Sequence, residues 1–195
     1  MKQFPLKNKK VYITENSDSF EQRNFSLETE IPIKDHLGAF STKRKKHRHE
    51  GVDLYCQEGD AVYAIEDGEV VLIEHFTGEL ANSPWWNNTQ ATHIEGESGV
   101  IVYGEIEAAM YPIGYKVKQG DPIGRVKTVL KKDKGRPITM LHVELYEHGS
   151  RSSVEWHPWE ENPPQFLKNP TNLIIQAAKN SEALQDENID AFNIS

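Results

Sequence analysis

Short runs in which apolar and polar residues alternate occupy much of the chain, and residues that favour turns separate them. Residues 52–56 alternate in this way, and an apolar run at 61–65 follows after a Gly-Asp turn. Residues 69–73 come directly after Asp67-Gly68, a dipeptide that favours two-residue hairpin turns. Strands at this spacing are typical of an all-β sheet or sandwich rather than of β-α-β units. The pattern therefore predicts an all-β fold with a hairpin between residues 61–65 and 69–73.

The rest of the chain is predicted from the same alternation and from turn-forming residues. Residues 78–97 are predicted to form a loop, and one of its paired tryptophans, Trp85 and Trp86, is expected to plug it as an apolar anchor. A capped helix is predicted at residues 169–178, and the acidic residues after Asn180 are expected to fray. Further strands are predicted at residues 10–14, 25–31, 99–106 and 139–146, and the strand at 25–31 is expected to have one exposed face. Two short strands are predicted on either side of the turn at 119–122.

The length of 195 residues fits one domain with additional segments at its ends. We assign residues 1–35 to an N-terminal extension with short strands. Residues 36–175 form the main β domain in this division, and residues 176–195 form the end of the helix and an acidic tail.

The formal net charge of −8 argues against nucleic-acid binding, because the phosphate backbone favours clustered Lys and Arg. The basic run 43–48 is interpreted as a solvated surface loop. No stretch approaches the ~18 apolar residues of a membrane span. No secretory signal is visible in residues 1–10, so a cytoplasmic location is the default expectation, with export by another route left open. Cys56, the single cysteine, is expected to be buried and leaves no internal disulfide.

A histidine and an aspartate lie four residues apart at His49 and Asp53, with Gly51 between them. Imidazole and carboxylate groups are common zinc ligands, and glycine lets the backbone bend so that both side chains converge. Spacing alone favours a charged turn over a metal site, because the pattern occurs by chance in many chains. A second histidine, His142, lies in the predicted strand 139–146 and strengthens the metal hypothesis.

Four separated segments together resemble one family. They read HEGVD at 49–53, GDAVYA at 59–64, VKQGDPIG at 117–124 and LHVE at 141–144. In this order they resemble the lysostaphin/LytM-type zinc peptidases over roughly residues 36–174. The resemblance implies the duplicated hybrid motif, an antiparallel β-sheet or barrel-sandwich hybrid, here with a short C-terminal helix.

The resemblance also implies a Zn²⁺ site. Its ligands would be His49, Asp53 and His142, and three protein ligands leave an open position of the kind that catalytic zinc sites use. His93 or Glu144 could orient a ligand imidazole through a hydrogen bond.

Two positions depart from the pattern of active members, which use two further histidines for the proton and the oxyanion. The corresponding positions hold Met140 and, in Val-Tyr-Gly-Glu-Ile, Glu105. Methionine neither carries a proton nor donates a hydrogen bond. Glu105 is the candidate catalytic residue, as a general base, with His47 as an alternative. The replacements imply impaired or absent hydrolase activity.

Within the family, the pattern is similar to the leukocyte cell-derived chemotaxin type, which keeps the zinc ligands but lacks the catalytic histidines. That similarity implies a binding module, or pseudo-peptidase, with a peptide, peptidoglycan or protein ligand at the metal cleft. The single Cys56 and the absence of a visible signal depart from a disulfide-bearing secreted protein. The Trp85-Trp86 loop and the Trp156–Trp159 segment are expected to border the cleft.

Two alternatives stand beside this hypothesis. The first is an active zinc metallopeptidase that cleaves peptidoglycan or peptides with Glu105 as its base. The second is a carrier or phosphotransfer domain of a related barrel-sandwich fold. It is disfavoured because the turn at Asp67-Gly68 has no lysine, and because Asp53 suits a cation better than a phosphoryl group. No oligomeric state is predicted.

Overall fold

A nine-stranded antiparallel sheet forms most of the fold in the computed structural model, which describes residues 1–133 and 135–185. A separate pair of parallel strands lies in the N-terminal segment. The strands are β1 (Lys10–Thr14), β2 (Glu28–Pro32), β3 (Val52–Tyr55), β4 (Ala61–Tyr63), β5 (Gly68–Thr77), β6 (Thr89–Gly96), β7 (Gly99–Ala108), β8 (Lys116–Val117), β9 (Pro122–Val126), β10 (Met140–Tyr146) and β11 (Leu167–Lys168), and the helices are the short 3-10 turns Ser17–Glu21 and Glu79–Ala81 and the α-helix α1 (Thr171–Asn180).

The main path of the sheet runs β11-β10-β7-β6-β5-β8, with β3 added to β10 and the β4-β9 pair added to β7. Every residue of β10 is buried, because the strand has neighbours on both edges and is covered on both faces. β10 is therefore a rigid part of the molecule, and the side chains it carries are held by packing.

The largest buried apolar cluster lies on one face of this sheet, and α1 contributes to it through residues such as Ile174 and Ala177. The N-terminal segment adds Val11 and Ile31, which are both fully buried in the same cluster. Mostly β structure with a short C-terminal helix is the fold that the alternating pattern and the family resemblance predicted.

The predicted hairpin between residues 61–65 and 69–73 is wrong. β4 pairs with β9, and β5 pairs with β6 and β8, so the strands before and after Asp67 do not pair with each other. The Asp67 carboxylate instead accepts hydrogen bonds from the Gln119 backbone N–H and from Lys118 Nζ. These contacts turn the Asp-Gly dipeptide towards β8 rather than into a hairpin.

Three other element predictions need correction. The second half of the predicted loop 78–97 is strand β6, whose polar residues hide its pattern, although Trp86 does anchor the loop while Trp85 is 59% exposed. β2 begins three residues later than predicted and has no exposed face, because it packs onto the main domain. α1 begins at Thr171, two residues later than the predicted helix.

The ends of the chain agree in part with expectation. The tail after Asn180 was predicted to fray, but Leu184 forms a bridge with Val11. The rest of that tail, residues 186–195, lies outside the described residues. Cys56 is buried and free, as predicted. Among the described residues, no helix has the length and apolar character that crossing a membrane requires.

Candidate metal site

The three predicted ligands meet at one point of the sheet. β3 pairs with β10 so that Asp53 lies directly opposite His142, and His49 precedes β3 by three residues. Asp53 Oδ1 lies 2.9 Å from His142 Nδ1 and 3.1 Å from His49 Nε2. The two imidazole nitrogens are 3.2 Å apart. The three atoms form a nearly equilateral triangle, and all three side chains are buried.

Hydrogen bonds on the far side of each imidazole fix which nitrogen faces the triangle. His49 Nδ1 donates to the Ala39 carbonyl oxygen at 2.9 Å, which leaves Nε2 as the free nitrogen. His142 Nε2 donates to Glu144 Oε1 at 3.0 Å, and Ser153 Oγ donates to the other Glu144 oxygen at 2.8 Å. Metal-binding histidines in proteins commonly have such partners, which orient the ring and make the free nitrogen a better ligand. Of the two residues predicted for this role, Glu144 has it.

Asp53 is held in a similar way through its second oxygen. Arg44 Nη2 donates to Asp53 Oδ2 at 2.7 Å and also to the Leu37 carbonyl oxygen at 3.0 Å. The Asp53 backbone N–H donates to Gly38. Arg44 therefore occupies one carboxylate oxygen and directs the other towards the two histidines. The sequence did not reveal this role, because Arg44 lies in the basic run that was interpreted as a solvated loop.

The charges of the site favour unprotonated ligands at His49 and Asp53. Burial lowers the pKa of His49 to about 4, so its imidazole is neutral at physiological pH. Burial alone would raise the pKa of Asp53, but the neighbouring His49 and Arg44 hold it well below its usual range. Burial alone would lower the pKa of His142, but its hydrogen bonds to Asp53 and Glu144 raise it well above the usual value.

The triangle of donor atoms fits a cation. Ligands about 2.0–2.1 Å from a tetrahedral zinc ion are about 3.3 Å from one another, close to the observed 2.9–3.2 Å. A single proton on His142 can satisfy Asp53, whereas a cation satisfies all three donor atoms at once. Two imidazole nitrogens and one carboxylate oxygen are a donor set that suits zinc. The residues present therefore fit a divalent metal ion.

Gly51 makes room for this arrangement. A Cβ atom at this position would clash with the backbone oxygen of Val143 and would lie 2.8 Å from His142 Nε2. The sequence predicted that glycine is needed at position 51 to bend the backbone. The φ of Gly51 is not positive, so the backbone conformation there does not itself require glycine. What the site requires is the absence of a side chain where the chain passes over His142.

Glu105, the candidate base, lies in an irregular part of β7 next to the site. Two β7 residues, Gly104 and Glu105, lie opposite one residue of β6, and Glu105 has a φ of +64°. Such a backbone conformation is costly for a residue with a side chain and is often found at functional sites. Burial and the charge of Asp53 raise the pKa of Glu105 to about 8. Its Oε2 is buried and has no hydrogen-bond partner among the described residues.

Met140 lies two residues before His142 on β10 but has different surroundings. Its side chain is 7% exposed and packs with Tyr55, Val129 and Leu130 in an apolar cluster. Phe20 and Phe25 from the N-terminal segment also pack against this cluster. The position is therefore integrated into an apolar environment.

The other histidines have separate roles. His93 is buried but bonds Glu74 rather than a ligand, so it does not orient the site. His36 is also fully buried and is held by Glu30. His47, the alternative base, is half-buried. Burial lowers its pKa most, and the charge of Arg44 lowers it further.

The two tryptophan segments lie close to the site. Trp86 packs against the cluster that contains Met140, and the Trp156 backbone N–H donates to Glu50, the neighbour of His49. Trp159 is 75% exposed and stacks on His157. Each segment therefore contacts a neighbour of a site residue, Trp86 through the cluster of Met140 and Trp156 through Glu50.

The model of Peptidase family M23 matches residues 47–154, which is more than half of the chain. The matched region begins beside His49 and includes Asp53, Glu105 and His142. No curated protein sequence matches the chain significantly.

Several solved structures are similar to this chain at low identity. The catalytic domain of lysostaphin from Staphylococcus simulans has a TM-score of 0.44 and 19% identity, covering 62% of this chain and 85% of that one. A zinc containing peptidase from Vibrio cholerae has a TM-score of 0.44 and 19% identity, covering 83% of this chain. A peptidase M23 structure from Pseudomonas aeruginosa has a TM-score of 0.42 and 16% identity, covering 73%. This chain spans 41% of the Vibrio chain and 49% of the Pseudomonas chain.

Proposed function

This chain belongs to peptidase family M23, and we propose that it is a zinc-binding member whose metal cleft binds a ligand without ordinary peptide hydrolysis. Zinc is among the ions that suit the donor set of this site, and His49, Asp53 and His142 would hold it. When bound, a zinc ion with three protein ligands supplies Lewis-acid polarisation of a carbonyl oxygen. The remaining chemistry of hydrolysis, which is proton transfer and hydrogen bonding to the oxyanion, has to come from side chains.

The observation that carries the proposal is the contrast between two positions of β10. His142 enters the triangle of donor atoms, whereas Met140 packs into the apolar cluster with Tyr55 and Leu130. The resemblance to active members expects a histidine at position 140. Loss of one oxyanion donor typically lowers kcat by ~10²–10³. A metal site without this donor is suited to binding.

This reading agrees with the resemblance to the leukocyte cell-derived chemotaxin type. In both cases the three ligands are kept and the catalytic histidines are replaced. The ligand of the cleft would be a peptide, peptidoglycan or a protein segment, bound between the loops that carry Trp85 and Trp156.

Zinc content and hydrolysis, measured on the same preparation, test the proposal. Wild-type protein should contain about one zinc per chain and should cleave neither oligoglycine peptides nor peptidoglycan above the level of a His142→Ala control. Cleavage by the wild type that disappears in His142→Ala would show that the site is catalytic and would overturn the proposal.

A second candidate function rests on Glu105. Its buried Oε2, which has no hydrogen-bond partner within the described part of the chain, lies near Asp53. A raised pKa is typical of a general base or acid. The chain would then be an active zinc peptidase in which Glu105 takes a proton from the attacking water. Such a peptidase would still lack the hydrogen-bond donor of the family's histidine, because Met140 occupies that position.

Paired glutamine variants test this second function. If peptide cleavage is detected, Glu105→Gln should lower kcat by ~10²–10⁴, the usual contribution of a general base. Glu107→Gln, an exposed position in the same strand, serves as the matched control and should leave the rate unchanged. An unaffected rate in Glu105→Gln would exclude Glu105 as the base.

A further inference from the structure

A basic hairpin, residues 43–48, projects beside the metal site. Five of the 22 Lys and Arg residues of the chain fall within these six positions, although the net charge of the whole chain is −8. Lys43 and Arg48 form an antiparallel bridge, and the Arg44 backbone N–H donates to the His47 carbonyl oxygen. The hairpin therefore has a defined backbone and concentrates positive charge on an otherwise acidic protein.

Contacts at both ends place the basic hairpin beside the donor triangle and next to the two tryptophan segments. Arg44 reaches into the site and bonds Asp53. The Arg48 backbone N–H donates to the Trp156 carbonyl oxygen at 2.7 Å. Lys46 Nζ lies 5.5 Å from the centre of a Trp85 ring. The hairpin thus extends between the two tryptophan segments and passes over the aspartate of the donor triangle.

Three lysines of the basic hairpin have no acidic partner in the part of the chain that the structure describes. Lys43, Lys45 and Lys46 are exposed, and among the described residues none of them forms an ion pair or a side-chain hydrogen bond. Lysines elsewhere commonly pair with carboxylates. Examples are the pairs Lys34–Glu15, Lys116–Glu69 and Lys118–Asp67.

We propose that the basic hairpin recognises the carboxylates of an acidic peptide segment that lies in the metal cleft. The proposal deepens the function proposed above, since it names the charge of the ligand at that site. Unpaired lysines beside a cleft attract and orient an anionic ligand. The positive charge spans only a few residues, and the acidic remainder of the protein repels a long polyanion such as a nucleic acid. A short run of Asp or Glu within a peptide fits this distribution.

The aromatic side chains beside the hairpin suit the rest of such a peptide. Trp85 is 59% exposed and Trp159 is 75% exposed, so both offer apolar surface next to the lysines. Exposed tryptophans flanking a cleft are typical of binding surfaces, because their rings provide a large contact area at little cost in conformational entropy. The hairpin would set the preference for charge, and the tryptophans would hold the peptide backbone and its apolar side chains.

Binding of labelled peptides to the zinc-supplemented protein, measured by fluorescence anisotropy, tests the proposal. The probe is a blocked peptide with four consecutive glutamates, compared with the same peptide carrying glutamines or lysines. The glutamate peptide should bind most tightly. Its affinity should fall at least about tenfold between about 50 mM and about 500 mM salt, because exposed charge pairs are screened.

Lysine variants locate the binding. The triple variant Lys43→Gln, Lys45→Gln and Lys46→Gln should lose about tenfold in affinity for the glutamate peptide, as expected for three exposed pairs. Its metal content and Tm should match the wild type. The control is Lys10→Gln, Lys132→Gln and Lys168→Gln, three exposed lysines outside the hairpin, and it should bind as the wild type does.

Three results would overturn the inference. The first is equal binding of the three peptides, and the second is an unchanged affinity in the hairpin variant. The third is equally tight binding of a single-stranded oligonucleotide of the same charge. Metal content separates this inference from the proposed function. Zinc-loaded protein that does not discriminate between the peptides refutes only the ligand charge. Protein without zinc that binds the glutamate peptide through these lysines refutes only the metal site.

Discussion

The His142 imidazole donates from Nε2 to Glu144 at 3.0 Å and presents Nδ1 to Asp53 at 2.9 Å. The two residues are neighbours on one face of β10, because alternate residues of a strand point to the same side. Glu144 therefore fixes the tautomer of His142 that a metal ion requires.

Glu144→Gln is expected to weaken zinc binding. Glutamine keeps the shape and one acceptor oxygen but removes the negative charge that makes His142 a stronger ligand, and loss of such a partner typically costs 10–100-fold in metal affinity. Competition with a zinc chelator measures the change. Glu74→Gln is the control, since Glu74 holds the buried His93 at 2.8 Å by the same kind of bond outside the site. Equal losses in both variants would contradict the role of Glu144.

Gly51→Ala is expected to abolish the metal site and to destabilise the fold. The added methyl group would clash with the Val143 backbone and with His142, and overpacking of this kind costs about 1–3 kcal/mol. Elemental analysis and chemical denaturation measure the two effects. In the control Gly59→Ala, the φ of +86° brings strain but the Cβ has open space, so stability should fall while metal is retained. A metal-binding Gly51→Ala protein would show that the close approach is not required.

Glu105 should make the stability of the metal-free protein depend on pH. Burial, followed by the charge of Asp53, raises its pKa from 4.5 to about 8, so the folded state binds a proton that the unfolded state releases between these values. Stability is then lost as the pH rises from about 4.5 to about 8, by up to several kcal/mol. Glu105→Gln removes this loss. Urea denaturation with a chelator should show a gap between variant and wild type that widens over this range. Parallel curves of stability against pH for Glu105→Gln and the wild type would contradict the buried state of Glu105. The control is Glu107→Gln at an exposed position, and its curve should run parallel to that of the wild type.

Met140 should be replaceable by an apolar residue but not by histidine. Met140→Leu keeps the apolar contacts with Tyr55 and Leu130 and should cost less than about 1.5 kcal/mol. Met140→His buries a polar ring in this cluster and should cost about 1–3 kcal/mol more. Denaturation of both variants measures the difference. Equal stability would mean that the position still accommodates a polar side chain, and it would weaken the proposal that ordinary peptidase chemistry has been lost.

The local alternation predicted the strand around His142, whereas the three candidate ligands followed from the family resemblance. Period-two alternation places His142 and Glu144 on one face, and the family motifs bring His49 and Asp53 to the same site. The fold class followed from the same patterns.

Contacts between distant residues were beyond such patterns. The turn at Asp67 is fixed by Gln119, 52 residues away, and this contact replaces the predicted hairpin. Arg44 looked like one member of a solvated basic run, and only the folded chain brings its guanidinium to Asp53. The residues of β6 were predicted to form a loop because many of them are polar. In the fold these polar residues find partners on neighbouring strands, as His93 does with Glu74.

The most direct test of the account is the metal content of the purified protein, measured by elemental analysis for the wild type beside His142→Ala after zinc is supplied. We expect about one zinc per wild-type chain and none in the variant, with near-native circular dichroism in both. Wild-type protein without zinc, or a variant that keeps it, would contradict a metal site at His49, Asp53 and His142.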